Sequence, residues 1–194
     1  MKVLILGATG SIGTAVAAEM AAHGHDVLAL ARSDASDAAL TAKGYQALRG
    51  DLLRPSEWAS AIRQVDAVIH VAATFDDDLE VVDRTLITAL INAAGAPDRP
   101  IRFVHTGGCW LYGATGDAVA TEKTPFNPIP TFEWAVETAE MLERSPAFSA
   151  AIIHPAMVYH QGGGVFDGFL ESAKADAQIA PWGPASTRWP LIHR

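Results

Sequence analysis

Val3-Leu4-Ile5-Leu6-Gly7-Ala8-Thr9-Gly10-Ser11-Ile12-Gly13 is the stretch on which the fold turns. Four consecutive apolar residues without polar alternation read as a short strand covered on both faces. Glycines at positions 7, 10 and 13 follow at once. Residues 14–23 are then alanine-rich and stop at Gly24, which reads as a helix and its end. A helix that starts in a glycine turn presents free N–H groups and the positive end of its dipole to whatever fills the turn, and a phosphate suits both. Gly7 makes the turn, Gly10 lets phosphates approach the backbone, and Gly13 allows the helix to pack on the strand.

Working outward, apolar runs at 27–31, 45–48, 67–71, 101–105 and 150–154 read as further strands. Helical patterns fall between and after them at 38–43, 55–64, 79–94, 132–144 and 165–177. Residues 106–130, rich in Gly, Thr and Pro, read as a long functional loop, and the tail from Pro181-Trp182-Gly183-Pro184 onward shows no period. Strands alternating with helices predict right-handed βαβ units. The expected fold is α/β: a doubly wound parallel sheet of the Rossmann type, three-layer αβα, in a single domain. Residues 1–160 are expected to form the NAD(P)-binding Rossmann domain and 161–194 a partial substrate or C-terminal region. A glycine turn between the first strand and first helix of such a unit is where a dinucleotide pyrophosphate sits.

Composition narrows the rest. The chain has 194 residues, 49% of them hydrophobic, enough for one well-buried core but short for two domains. Its net charge of -8 argues against nucleic acid or an anionic membrane as partner. No apolar run reaches membrane-spanning length. The single Cys109 excludes an intramolecular disulfide and a cysteine-built metal site, and the expected location is cytoplasmic. The seven histidines show no metal-ligand spacing beyond the loose His23-Gly24-His25, so no metal is expected. The expected partner is a small-molecule substrate; Trp182 and Trp189 near the C-terminus read either as lining a pocket or as covering an interface, which would make a second copy of the chain a partner too.

The end of the second strand bears on the cofactor. An NAD site places Asp or Glu there to grip the ribose 2′-hydroxyl. Here the residues are Leu30-Ala31-Arg32-Ser33. The Arg32 guanidinium, helped by Ser33, suits a 2′-phosphate, so NADP is expected ahead of NAD. Two features pull the other way: Arg32 could be a solvated loop residue stacked on adenine, and Asp34 and Asp37 lie close by.

With these segments in order, the chain resembles the extended and atypical short-chain dehydrogenase/reductases, which include nucleotide-sugar epimerases. The turn Gly7 to Gly13, comprising Thr9, Ser11 and Ile12, is similar to the family's GATGxxG. Gly50-Asp51-Leu52 resembles the motif after the third strand, which implies that Asp51 meets the adenine with Leu52 beside it. His70-Val71-Ala72-Ala73 resembles the HxAA segment under the ribose and nicotinamide. Leu111-Tyr112-Gly113 resembles the family's VYG, and His154-Pro155-Ala156-Met157-Val158-Tyr159 its RPxxVYG near nicotinamide and substrate, which brings in Pro155. The resemblance implies an NAD(P)-dependent oxidoreductase or epimerase-like protein acting on a small carbonyl or sugar-nucleotide substrate.

The chemistry departs from that family. Its active members pair a Tyr with a Lys four residues later, so that the phenol passes a proton while hydride moves. Here Phe132 and Val136 align with those positions, and none of the three tyrosines has Lys four residues on. Gly107 and Gly108 stand where the family carries its Ser pair. Thr106 is the nearest hydroxyl, equally a strand-ending cap or a group that orients substrate. Tyr112 offers a phenol, but also reads as a packing aromatic. Glu133 and Glu137 share a helix face that reads chiefly as solvated. Trp189-Pro190-Leu191-Ile192-His193 resembles a segment that leads into further C-terminal residues in longer relatives, so a truncated member or a covering partner is expected. Two functions remain: an enzyme with a non-standard active site, with Thr106 and Tyr112 as its catalytic candidates, or a catalytically inactive NADP(H)-binding sensor.

Overall fold

The computed structural model describes residues 1–74, 78–179, 183–184 and 186–194. Its first half contains β1 (Lys2–Leu6), α1 (Ser11–Ala22), β2 (Asp26–Ala31), α2 (Asp34–Thr41), β3 (Gln46–Arg49), β4 (Ala67–His70) and α3 (Leu79–Ala94). Then come β5 (Ile101–Thr106), α4 (Glu133–Arg144), β6 (Phe148–Ile153), β7 (Met157–His160), β8 (Gly163–Gly164), α5 (Asp167–Asp176) and β9 (Leu191–His193). The first six strands form one parallel sheet in the order β3-β2-β1-β4-β5-β6, the doubly wound Rossmann order.

The β1 strand shows why both faces must be covered. Successive side chains of a strand point to opposite faces. Leu4 and Leu6 enter a core with Trp58, Ile62, Leu86, Ile87, Leu90 and Leu142. Val3 and Ile5 enter the opposite core, where Ala17 of α1, Ala29 of β2 and Leu40 of α2 pack. The uninterrupted apolar run is therefore the signature of a central strand in a three-layer fold.

Several elements differ from the pattern in the sequence. Residues 55–64 are two short 3-10 helices, Pro55–Glu57 and Ala59–Gln64, broken at Trp58. Trp58 is buried, and its indole Nε1 donates to the Asp51 carbonyl at 2.8 Å, which holds the backbone out of α geometry. The α2 helix begins at Asp34, earlier than the apolar pattern indicates, because Ser33 and Ser36 form a reciprocal cap. The tail is not without structure: β9 pairs in parallel with β7, and β8 pairs with β7 antiparallel, giving a second, three-stranded sheet. Trp182 lies outside the described residues. None of the described helices is long and apolar enough to cross a membrane.

Candidate functional site

Because β1 to β6 run in parallel, their C-terminal ends share one edge of the sheet, and the residues singled out in the sequence follow those ends. The turn containing Gly7, Thr9, Gly10, Ser11, Ile12 and Gly13 follows β1, and Arg32 and Ser33 follow β2. Asp51 and Leu52 come just beyond β3, and Val71, Ala72 and Ala73 follow β4. Thr106 ends β5, and Pro155 lies just beyond β6. Ligands of open α/β sheets bind outside this carboxyl edge.

The glycine turn has the form an anion needs. Gly7 has φ of +93°, and a Cβ there would come within 2.9 Å of the Ala72 backbone, so the turn lies tight against the segment after β4. A Cβ on Gly13 would overlap the Gly7 carbonyl. The Gly10 N–H donates to Gly7 O at 2.9 Å, and the Gly10 carbonyl receives the first helical bond, from Thr14 N. Gly10 caps α1 without a side chain, and the first turn carries no acidic residue. The N–H groups at the start of α1 thus lack side-chain cover, and the positive end of the helix dipole is unopposed by local carboxylates. The chemistry of this cradle fits a pyrophosphate.

At the adjacent corner, Arg32 is exposed, while the Ser33 hydroxyl accepts from Ser36 N at 3.2 Å as the cap of α2. Asp34, which argued against a 2′-phosphate, is paired with Arg49 Nη1 at 2.7 Å. Arg49 ends β3 in register with Ala31, one residue from Arg32. It went unnoticed in the sequence because only the β2–β3 register brings it to this corner.

Around β5 and β6 the missing side chains of Gly107 and Gly108 have a physical explanation. A Cβ on Gly107 would lie 2.6 Å from His154 Nδ1, and one on Gly108 would overlap the Trp110 ring. Gly107 N donates to Ile153 O at 2.8 Å, which ties the loop to the end of β6. Tyr112 closes a 3-10 turn, Cys109–Tyr112, and packs edge-on to His154 with ring centroids 5.6 Å apart. Phe126 contacts both rings, at 5.3 Å from Tyr112 and 5.4 Å from His154. Burial lowers the His154 imidazole below its ordinary pKa, partly offset by the Gly108 backbone and Glu143, and Nδ1 is buried without a hydrogen-bond partner among the described residues. Burial thus favours the uncharged form of His154, whose ring lies edge-on to that of Tyr112. Its signal in the sequence was a histidine where the resembling segment carries Arg. Phe132 stacks on Trp110 at 5.1 Å, and Glu137 is exposed and paired with Arg84 at 3.0 Å.

Beneath this edge lies a buried polar cluster that sequence spacing concealed. His70 ends β4, His105 lies in β5, and Asp83 lies on the buried stripe of α3 with Val82, Leu86 and Leu90. Their ligand atoms lie within 4.8 Å of one another, close enough for a cation. Hydrogen bonds join only two of the three side chains, and Asp83 Oδ2 and His105 Nδ1 are buried without a hydrogen-bond partner among the described residues. Ala72 N donates to His70 Nδ1 at 3.4 Å, so the ring proton sits on Nε2, 2.9 Å from Asp83 Oδ1. His105 Nε2 is 3.9 Å from Asp83 Oδ2. Burial raises the Asp83 carboxyl, but the His70 hydrogen bond and the two imidazoles outweigh it and hold the group below its ordinary value. Burial and neighbouring His70 push His105 down to about 4. The useful signal was a carboxylate inside the apolar stripe of a helix.

Comparison with known proteins identifies the family and the fold. The sequence pattern of the "NAD dependent epimerase/dehydratase family" matches residues 3–194. An uncharacterized protein of Saccharomyces cerevisiae is 29% identical over 203 residues, spanning 100% of this chain and 67% of that protein. Among solved structures, human epimerase family protein SDR39U1 with NADPH superposes with a TM-score of 0.72 at 20% identity, over 100% of this chain and 66% of that one. The UDP-Glc/GlcNAc 4-epimerase of Campylobacter jejuni gives 0.67 at 21% identity, over 81% of this chain and 54% of that one. The chain therefore spans between about half and two thirds of the length of these proteins.

Proposed function

The chain belongs to the NAD dependent epimerase/dehydratase family, within the extended short-chain dehydrogenase/reductases, and from that premise we propose an NADP(H)-binding oxidoreductase or epimerase-like protein for a small carbonyl or sugar-nucleotide substrate. The observation that carries this reading is the α1 N-terminus behind the glycine turn, with no side-chain cap and no acid in its first turn. The N–H groups of Ser11, Ile12 and Gly13 would hold the pyrophosphate. Arg32 would take the 2′-phosphate, with Arg49 holding Asp34 in an ion pair beside it. Asp51 would meet the adenine, and Val71 to Ala73 with Pro155 would border the ribose and nicotinamide. The SDR39U1 structure with NADPH supports NADP, and relatives solved with NAD leave NAD as the alternative.

A bound nicotinamide would supply hydride transfer, and the chain's own residues must then manage the proton. With Phe132 and Val136 aligned to the usual relay, that task falls to the cluster beyond β5 and β6. Tyr112 supplies a phenol, His154 a neutral imidazole, and Thr106 a hydroxyl at the end of β5. Tyr112 would donate to a substrate oxygen, Thr106 would orient it, and His154 would receive or return the proton from solvent. The second reading is a catalytically inactive NADP(H) sensor. It is favoured by the rings of His154 and Trp110 filling the space next to Gly107 and Gly108.

Calorimetric titration with NADPH and NADH, followed by nicotinamide absorbance against carbonyl and alcohol substrates, separates these readings. We expect NADPH to bind more tightly than NADH, and Arg32→Ala to weaken NADPH selectively by about tenfold or more. Tight binding with no turnover would select the sensor. Failure to bind either nucleotide would overturn both.

A further inference from the structure

The second sheet delivers two side chains to the first turn of α1. Arg194 follows β9, and its backbone N–H donates to Tyr159 O at 3.0 Å. Its Nη1 donates to the Ser11 carbonyl at 3.0 Å. His160, at the end of β7, donates from Nδ1 to its neighbour's carbonyl, Gln161 O, at 3.1 Å. Its Nε2 is therefore free to accept the Ser11 hydroxyl at 2.8 Å, and Arg194 Nη1 lies 3.5 Å from the same nitrogen. Gly163 makes this possible, since a Cβ there would overlap the His160 ring.

Charge gives the arrangement its meaning. Among the described residues Arg194 forms no ion pair with a carboxylate. A guanidinium fixed on the first turn of α1 adds its charge to the positive end of the helix dipole, which is unfavourable unless an anion joins them. Ser11 O, which accepts from the guanidinium at 3.0 Å, carries no formal charge and so aims it without neutralising it.

We propose that Arg194, aimed by Ser11 and His160, is a pyrophosphate-binding residue of the dinucleotide site. The inference rests on reading the glycine turn as that site, and it adds a role for the second sheet: the cofactor's phosphates would bridge α1 of the main sheet to β9 of the small one. Arg32 and Arg194 then divide the cofactor, one reading the 2′-phosphate and the other the pyrophosphate shared by NADPH and NADH.

The test is calorimetric titration of wild type, Arg194→Gln, Arg194→Lys and His160→Ala with NADPH, NADH and 2′-AMP, which carries the 2′-phosphate but no pyrophosphate. Arg194→Gln should weaken NADPH and NADH by the same factor, roughly tenfold or more, and leave 2′-AMP unchanged. Arg194→Lys should lie between Gln and wild type, because charge is kept and the fork lost. His160→Ala should give a smaller loss for both dinucleotides. Unchanged or tighter dinucleotide binding by Arg194→Gln would overturn the proposal while leaving the glycine-turn reading standing. No dinucleotide binding by wild type would overturn that reading and the proposal with it. Superimposable melting curves for the exposed Arg194 variants check that the comparison is between folded proteins.

Discussion

His105 is neutral in the fold because its surroundings offer the imidazolium too little. It is buried, faces His70, and leaves Nδ1 without a hydrogen-bond partner among the described residues. Its pKa falls from 6.5 to about 4, first through burial and then through His70, with Asp83 opposing. Between those values the unfolded chain holds more protons than the folded one. Stability must therefore drop as pH falls through that window, by on the order of 3 kcal/mol in total. The depressed Asp83 carboxyl adds a loss of the same sign at still lower pH. His105→Gln removes this titration, so its unfolding free energy should change clearly less than wild type's between about pH 7 and about pH 4.5. Urea unfolding at both pH values is the check, and equal changes in the two proteins would rule His105 out as the source. The residue scale is also where legibility in the sequence divides most sharply. The glycine turn can be read because its parts are neighbours along the chain, where the steric need of each is local. His70, Asp83 and His105 are brought together only by the docking of α3 on two strands.

At the scale of elements, the connection after β5 shows packing that leaves no room for side chains at two consecutive positions. His154 packs edge-on against both Tyr112 and Phe126, contacts it must give up to move away from a side chain at position 107. Gly107→Ser adds the hydroxyl that the family resemblance implies for this position but places its Cβ 2.6 Å from His154 Nδ1. We expect it to destabilise the protein by about 1–3 kcal/mol, the usual cost of overpacking. His154→Ala should remove most of that penalty in the double variant, a non-additivity that thermal or urea melts of all four proteins measure. Additive effects would show that the two positions do not compete for space. Other elements carry the same lesson about local and distant causes. The bounds of α3 are those its sequence predicts, because an apolar stripe and Gly95 define them from within. The break at Trp58 is not legible, since it depends on an indole reaching back to Asp51 O. The three residues of β9 are too few to show a period, and only pairing with β7 makes them a strand.

The whole molecule combines a fully covered sheet with a lightly covered one. Val3 to Leu6 of β1 are almost wholly buried, whereas every residue of β9 is exposed and those of β7 are only half-buried. Opening free energies follow buried contacts, so amide exchange should be slowest in β1, β4 and β5 and much faster in β7 and β9. Exchange at β9 as slow as at β1 would contradict this ordering. Cofactor adds a second, sharper expectation. The small sheet meets α1 through Ser11, His160 and Arg194, at the point where the dinucleotide's phosphates are proposed to lie. A ligand that binds only the closed arrangement stabilises it in proportion to the logarithm of its concentration over its dissociation constant. Saturating NADPH should therefore slow exchange in β7 and β9 together with the first turn of α1. The Arg194→Gln protein, given enough NADPH to saturate it, should keep the protection in α1 and lose it in β9. Protection of α1 alone in wild type would mean that the phosphates never reach the small sheet. Protection of both regions in wild type and of α1 alone in the variant would tie the two sheets together through a single guanidinium.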